Sequence, residues 1–147
     1  MSSVLLDIQN LEKRYVASGG FLSHYKRTVR AVDGVNLQIN EGETLGLVGE
    51  SGCGKSTMAR LLMRLEKPDG GRACFRNHDI FALAPDEVKK YRRRVQMIFQ
   101  DPYSSLNPRM SALSIISEPL HIHRIGNSQE NKETAYDIMA KRKCSSP

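Results

Sequence analysis

Cysteine is scarce in this chain of 147 residues and poorly placed for cross-linking. Cys53, Cys74 and Cys144 lie far apart, their number is odd, and no two have the C-x-x-C spacing. That excludes a disulfide framework or a zinc site as the organising element. Long apolar runs are missing too: none approaches the ~18 residues that a membrane-crossing helix needs. The first residues, Met1 to Ile8, have no basic start and no long apolar stretch, so no secretory signal is expected and the chain is expected in the cytoplasm. Internal repeats and low-complexity tracts are absent. Stacking aromatics are also missing where charge is densest. The net charge is +6, and the run Lys89-Lys90-Tyr91-Arg92-Arg93-Arg94 carries one aromatic only. A single-strand nucleic-acid surface interleaves cations with several flat rings. The run therefore reads as a solvated helix end whose cations suit the C-terminal dipole, and no nucleic-acid partner is expected.

What is present is one dense motif. Residues 49–57 read Gly-Glu-Ser-Gly-Cys-Gly-Lys-Ser-Thr and fit G-x-x-x-x-G-K-[ST]. In such a loop successive backbone N–H groups wrap a polyphosphate, and glycine lets the chain close around it. Gly49, Gly52 and Gly54 supply that freedom, and Glu50, Ser51 and Cys53 complete the wrap. Lys55 brings its charge to the β- and γ-phosphates. The Ser56 hydroxyl is placed for Mg²⁺, with Thr57 next in the helix. The flanks agree. Thr44 to Val48 is a short apolar run suited to a buried parallel strand. Met58, Leu61, Leu62 and Leu65 follow at i, i+3, i+4 and i+7, one helical face whose N-terminus points at the anion. Cys53, beside Lys55, sits where thiolate is favoured, so its alkylation should slow when MgATP binds. A tolerated small residue in a variable slot also accounts for it.

The remaining chain reads as an α/β protein, one domain or a piece of one, with 39% apolar residues to build a core. Val4 to Leu11 reads as a first strand and residues 17–27 as a polar loop that includes Ser18-Gly19-Gly20. Val35, Leu37 and Ile39 alternate with polar neighbours as a half-buried strand. Pro68 to Gly71 signals a turn, Arg72 to Phe75 a short strand, and Asn77-His78 a second turn. Pro85 to Arg93 reads as a helix with proline at its start. Val95 to Phe99 reads as a strand ending on Gln100. A loop with two prolines then leads to a helix from Ser111 to about Arg124, kinked or broken at Pro119. Asn127 to Glu130 is an N-cap signal, and Ala135, Ile138 and Met139 mark a last helical face. His121 and His123 lack a third ligand at useful spacing and read as surface or interface histidines.

Three segments together resemble one family. They are Ala31-Val32-Asp33-Gly34-Val35, the stretch from Glu41 to Thr57, and the stretch from Val95 to Arg109 with its Ser105-Leu106-Asn107-Pro108-Arg109 tail. The chain resembles the nucleotide-binding subunit of ABC transporters, and within them the oligopeptide and dipeptide importers. Glu118-Pro119-Leu120 fits the same branch, and the resemblance runs from residue 4 to about residue 125. It implies a P-loop NTPase core with N-terminal antiparallel β strands and the start of a helical subdomain, incomplete as it stands. It implies ATP and Mg²⁺ as ligands. Tyr15 would stack on adenine, a task that suits a flat ring; by itself it could equally be a packing residue. Gln100 would touch Mg²⁺ or the attacking water, its amide offering both donor and acceptor; by itself it is an ordinary strand-end residue. The implied partners are membrane-spanning permease subunits, a second ATP-binding subunit as homo- or heterodimer, and indirectly an extracytoplasmic substrate-binding protein. The implied location is the cytoplasmic side of the cell membrane.

The family pattern also requires a Walker B strand ending in Asp-Glu, a switch histidine and a Leu-Ser-Gly-Gly-Gln signature. None follows residue 100. Lys141 to Pro147 does not resemble the family, so the reading frame is expected to be truncated or shifted near residue 140, and the product to fold poorly or aggregate. The expected organisation is 1–108 a partial ATP-binding core, 109–140 the start of a helical subdomain and 141–147 an atypical tail. Three functional readings follow. The first is an ATP-driven peptide-transport subunit. The second is a non-catalytic remnant of one that at most holds nucleotide. The third is an unrelated P-loop enzyme such as a small kinase, for which acceptor pocket, lid arginines and a second acidic strand are not found.

Overall fold

The computed structural model describes residues 3–18, 26–101 and 105–143. These fall into two compact units, Met1–Met97 and Ile98–Pro147. The first unit is built on a long hairpin. Strand β1 (Val4–Ser18) pairs antiparallel with β2 (Lys26–Asn40), and β3 (Gly70–Phe75) joins the other edge of β1. A two-residue strand β4 (His78–Asp79) completes a sheet of order β2-β1-β3-β4, antiparallel throughout. Both hairpin strands are longer than the sequence suggests, because the loop expected over 17–27 gives up its ends to pairing, Ala17 with Arg27 and Ser18 with Lys26. The Ser18-Gly19-Gly20 reading otherwise lies outside the described residues. The expected alternation in β2 holds, with Val35, Leu37 and Ile39 half-buried and Asn36 and Gln38 exposed.

One face of this sheet meets helix α1 (Lys55–Leu62) and helix α2 (Pro85–Arg94). Met58 and Leu61 of α1 pack with Ile8 and Leu11 of β1, Val32 of β2, Ala73 of β3, Ile80 and Tyr91. Leu65 falls past the end of α1 and is exposed, so the helical face is one turn shorter than its spacing predicts. Tyr91 fixes α2 to α1. Its hydroxyl donates to the Leu62 carbonyl at 2.7 Å, and its ring meets Phe75 edge-on at 5.5 Å. The basic end of α2 is also employed, since Arg92 donates to the Arg64 carbonyl at 2.9 Å.

Two expected strands are not strands here. Thr44 to Val48 and Val95 to Phe99 form no ladder. Val48 and Ile98 are each 91% exposed. A buried parallel strand needs neighbours on both edges and cover on both faces. The described residues place neither beside these two segments.

In the second unit, α3 (Ala112–Ile122) packs on α4 (Ser128–Lys143). Ser111 caps α3, its Oγ accepting the Ser114 N–H at 3.2 Å. The helix continues through Pro119 without breaking. Asn127 caps α4 by accepting the N–H groups of Gln129 and Glu130, and Glu130 accepts the Asn127 N–H in return at 2.8 Å. This is the capping box the sequence signals. Pro102, Tyr103 and Ser104, and Cys144 to Pro147, lie outside the described residues.

Candidate functional site

The glycine loop is seated directly on β2. Gly54 is the N-cap of α1 at φ +98°, and a Cβ there would stand 2.0 Å from the Ala31 carbonyl oxygen. Left-handed backbone and contact with β2 both demand glycine at this point. Lys55, the first residue of the helix, turns back into the loop. Its Nζ donates to the carbonyls of Gly49 at 2.6 Å and Glu50 at 2.7 Å, and to Cys53 Sγ at 3.3 Å. An ammonium carries three protons, so these contacts use all of them. A Cβ on Gly49 would fall 2.6 Å from Cys53 Sγ and 3.9 Å from Lys55 Nζ. The Cys53 and Lys55 side chains thus occupy the space that a Cβ on Gly49 would need. Ser56 is exposed on the first helical turn and Thr57 is half-buried behind it. The hydrogen bond from the Lys55 ammonium lowers the pKa of the exposed Cys53 thiol below its ordinary range. A cavity of ≈ 290 Å³ opens beside the loop, lined by Arg30, Asp33 and Val35 of β2 and by Val48, Cys53 and Lys55.

Tyr15 lies on β1 opposite Val29 and is 37% exposed. Its hydroxyl donates to the Glu66 carboxylate, just past α1. Arg60 of α1 holds Glu66 at 3.7 Å. The Glu66 hydrogen bond, with burial second, raises the Tyr15 pKa, so the phenol is neutral and donating at physiological pH. The Lys13 ammonium stands 5.6 Å from the ring centroid over one face. Tyr15 and residues 49–57 therefore share the first unit. Gln100 belongs to the second unit and is exposed. Among the described residues no three His, Cys, Asp or Glu side chains form a metal-holding group. His121 is tied instead to Asn131 at 3.5 Å. Sequence reasoning missed two participants, Glu66 and the Ala31 carbonyl. Glu66 is 51 residues from Tyr15, and no local pattern links them.

A glycine loop closed on its own lysine, with a helix leaving it and an antiparallel sheet behind, defines a P-loop nucleotide-binding protein. A family model described as ABC transporter matches residues 32–145, and the chain belongs to that family. It is 47% identical over 141 residues to a probable peptide ABC transporter ATP-binding protein of Sinorhizobium fredii, covering 96% of this chain and 40% of that protein. It is 44% identical over 141 residues to an oligopeptide transport ATP-binding protein of Escherichia coli, covering 94% of this chain and 42% of that one. The chain thus spans about two-fifths of the length of these relatives. Among solved structures it superposes on the ATP-binding cassette MJ0796, a dimer in a post-hydrolysis state bound to ADP and Pi. The TM-score is 0.72 at 30% identity, over 90% of this chain and 55% of that one. The family match sets aside the kinase reading, and none of these relatives favours the non-catalytic remnant.

Proposed function

We propose that this chain is ATP-binding machinery of an ABC importer for peptides, coupling ATP binding and hydrolysis to transport. The observation that carries the nucleotide reading is the loop of residues 49–54 closing on Lys55 Nζ, whose ammonium the Gly49 and Glu50 carbonyls hold inside it. Such a cradle fits a polyphosphate, which main-chain N–H groups and one ammonium bind well. Lys55 exchanges its two carbonyl contacts for phosphate oxygens, a stronger charge-assisted pairing. The backbone N–H groups of Gly49, Glu50, Ser51, Gly52, Cys53, Gly54, Lys55, Ser56 and Thr57 orient the phosphates. Tyr15 covers the adenine. Ser56 would supply a hard oxygen ligand of the kind Mg²⁺ accepts alongside phosphate and water. Bound Mg²⁺ neutralises charge on the phosphate oxygens. With no acidic group assigned to the metal, these residues alone should hydrolyse ATP negligibly.

The cargo follows from the relatives, which are peptide and oligopeptide transport proteins. The partners we infer are permease subunits, a second ATP-binding subunit and, through the permease, an extracytoplasmic binding protein. No helix among the described residues is long and apolar enough to cross a membrane. The site of action we infer from the family is the cytoplasmic face of the membrane, where the chain would dock on the permease. Residues 1–108 would form part of the ATP-binding core and 109–140 the beginning of a helical subdomain.

Calorimetric titration with MgATP tests the reading. Lys55→Ala should weaken binding about ten- to a hundredfold, the size of charged hydrogen bonds lost. Unchanged affinity in that variant would refute the assignment.

A further inference from the structure

We propose that Glu66 is a positioning residue for the base subsite: it fixes the Tyr15 ring to the P-loop helix and so sets the spacing between adenine and phosphate sites. The inference rests on the reading of Tyr15 as the adenine platform. It comes from the geometry of the hairpin. Strand β1 has a neighbour on each edge only as far as Glu12, which pairs with Gly70. Beyond that point β1 and β2 continue as a two-stranded ribbon, and such ribbons are marginal by themselves. Tyr15 is on this ribbon. The Arg14 N–H is held by Asp69 at 2.6 Å and the Lys13 ammonium by the Lys67 carbonyl at 2.7 Å, both anchoring the ribbon to the connection leading into β3. At Tyr15 the tie changes partner: its hydroxyl goes to Glu66, which Arg60 holds to α1.

The consequence is mechanical. Lys55 and Thr57 belong to α1 as well. Phosphate cradle and ring are thus both referenced to one rigid helix, rather than to a ribbon free to twist. Lys13 occupies one face of the ring, so a base must meet the other. Glu66 touches neither base nor phosphate in this scheme; it acts through Tyr15.

The test separates the two subsites by titrating the full chain with MgATP and with magnesium tripolyphosphate, which has phosphates and no base. Glu66→Ala should weaken MgATP binding about three- to tenfold, as expected for one lost hydrogen bond, and leave tripolyphosphate within about twofold. Tyr15→Phe should reproduce that loss, and combining the two should add nothing further. Glu66→Gln keeps an acceptor and should recover most of the affinity. Equal losses for both ligands in Glu66→Ala would mark a general structural role and overturn the proposal. So would full MgATP affinity in Glu66→Ala when Tyr15→Ala is impaired. If Tyr15→Ala itself binds MgATP normally, the platform reading fails first and this inference falls with it.

Discussion

At the residue scale the loop offers a probe that does not depend on measuring affinity. Cys53 is exposed, and the Lys55 ammonium at 3.3 Å stabilises its thiolate. A lowered thiol pKa means more thiolate at a given pH and faster alkylation. Iodoacetamide should label Cys53 faster than the half-buried Cys74 at neutral pH. MgATP should slow the reaction, because Lys55 turns toward phosphate and the loop is covered. Lys55→Ala should slow it without nucleotide. Labelling rates indifferent to both changes would show that the ammonium does not govern this thiol. The glycine loop and the helix that leaves it were legible because the motif is contiguous. Glu66 and the Ala31 carbonyl were not, since each enters the site only when distant segments meet.

Among the elements, legibility tracked how local the cause was. The capping box at Asn127 and the proline start of α2 were readable because their hydrogen bonds close within one turn. Strand lengths were misjudged because pairing, not composition, extends β1 to Ser18. Pro119 was expected to kink or break α3, yet the helix runs on to Ile122. The element is stabilised in part at its start, where Ser111 accepts the Ser114 N–H. Removing that acceptor leaves an N-terminal donor without its cap. Ser111→Ala should lower the stability of the second unit by about 1 kcal/mol, and Ser111→Asp should restore it. Urea unfolding followed by helical circular dichroism gives the value. An unchanged midpoint in Ser111→Ala would mean that the cap contributes nothing.

For the whole molecule the decisive feature is two apolar segments with strand-like sequence and no ladder. Leu45, Leu47 and Val48 are exposed in the first unit, and Ile98 and Phe99 in the second. Their sequences ask for burial on both faces, and unpaired main chain beside exposed apolar side chains is a template for association. The relatives are more than twice as long as the stretch they share with this chain. Among the described residues no ladder pairs with these segments. Produced by itself, the chain should self-associate in a concentration-dependent way and bind a hydrophobic dye. Val48→Lys and Ile98→Lys should each reduce both effects, since a charge on an exposed edge opposes pairing without removing any buried contact. Sedimentation velocity with dye fluorescence reads the outcome. A stable monomer that ignores the dye would mean that these segments find cover within the chain.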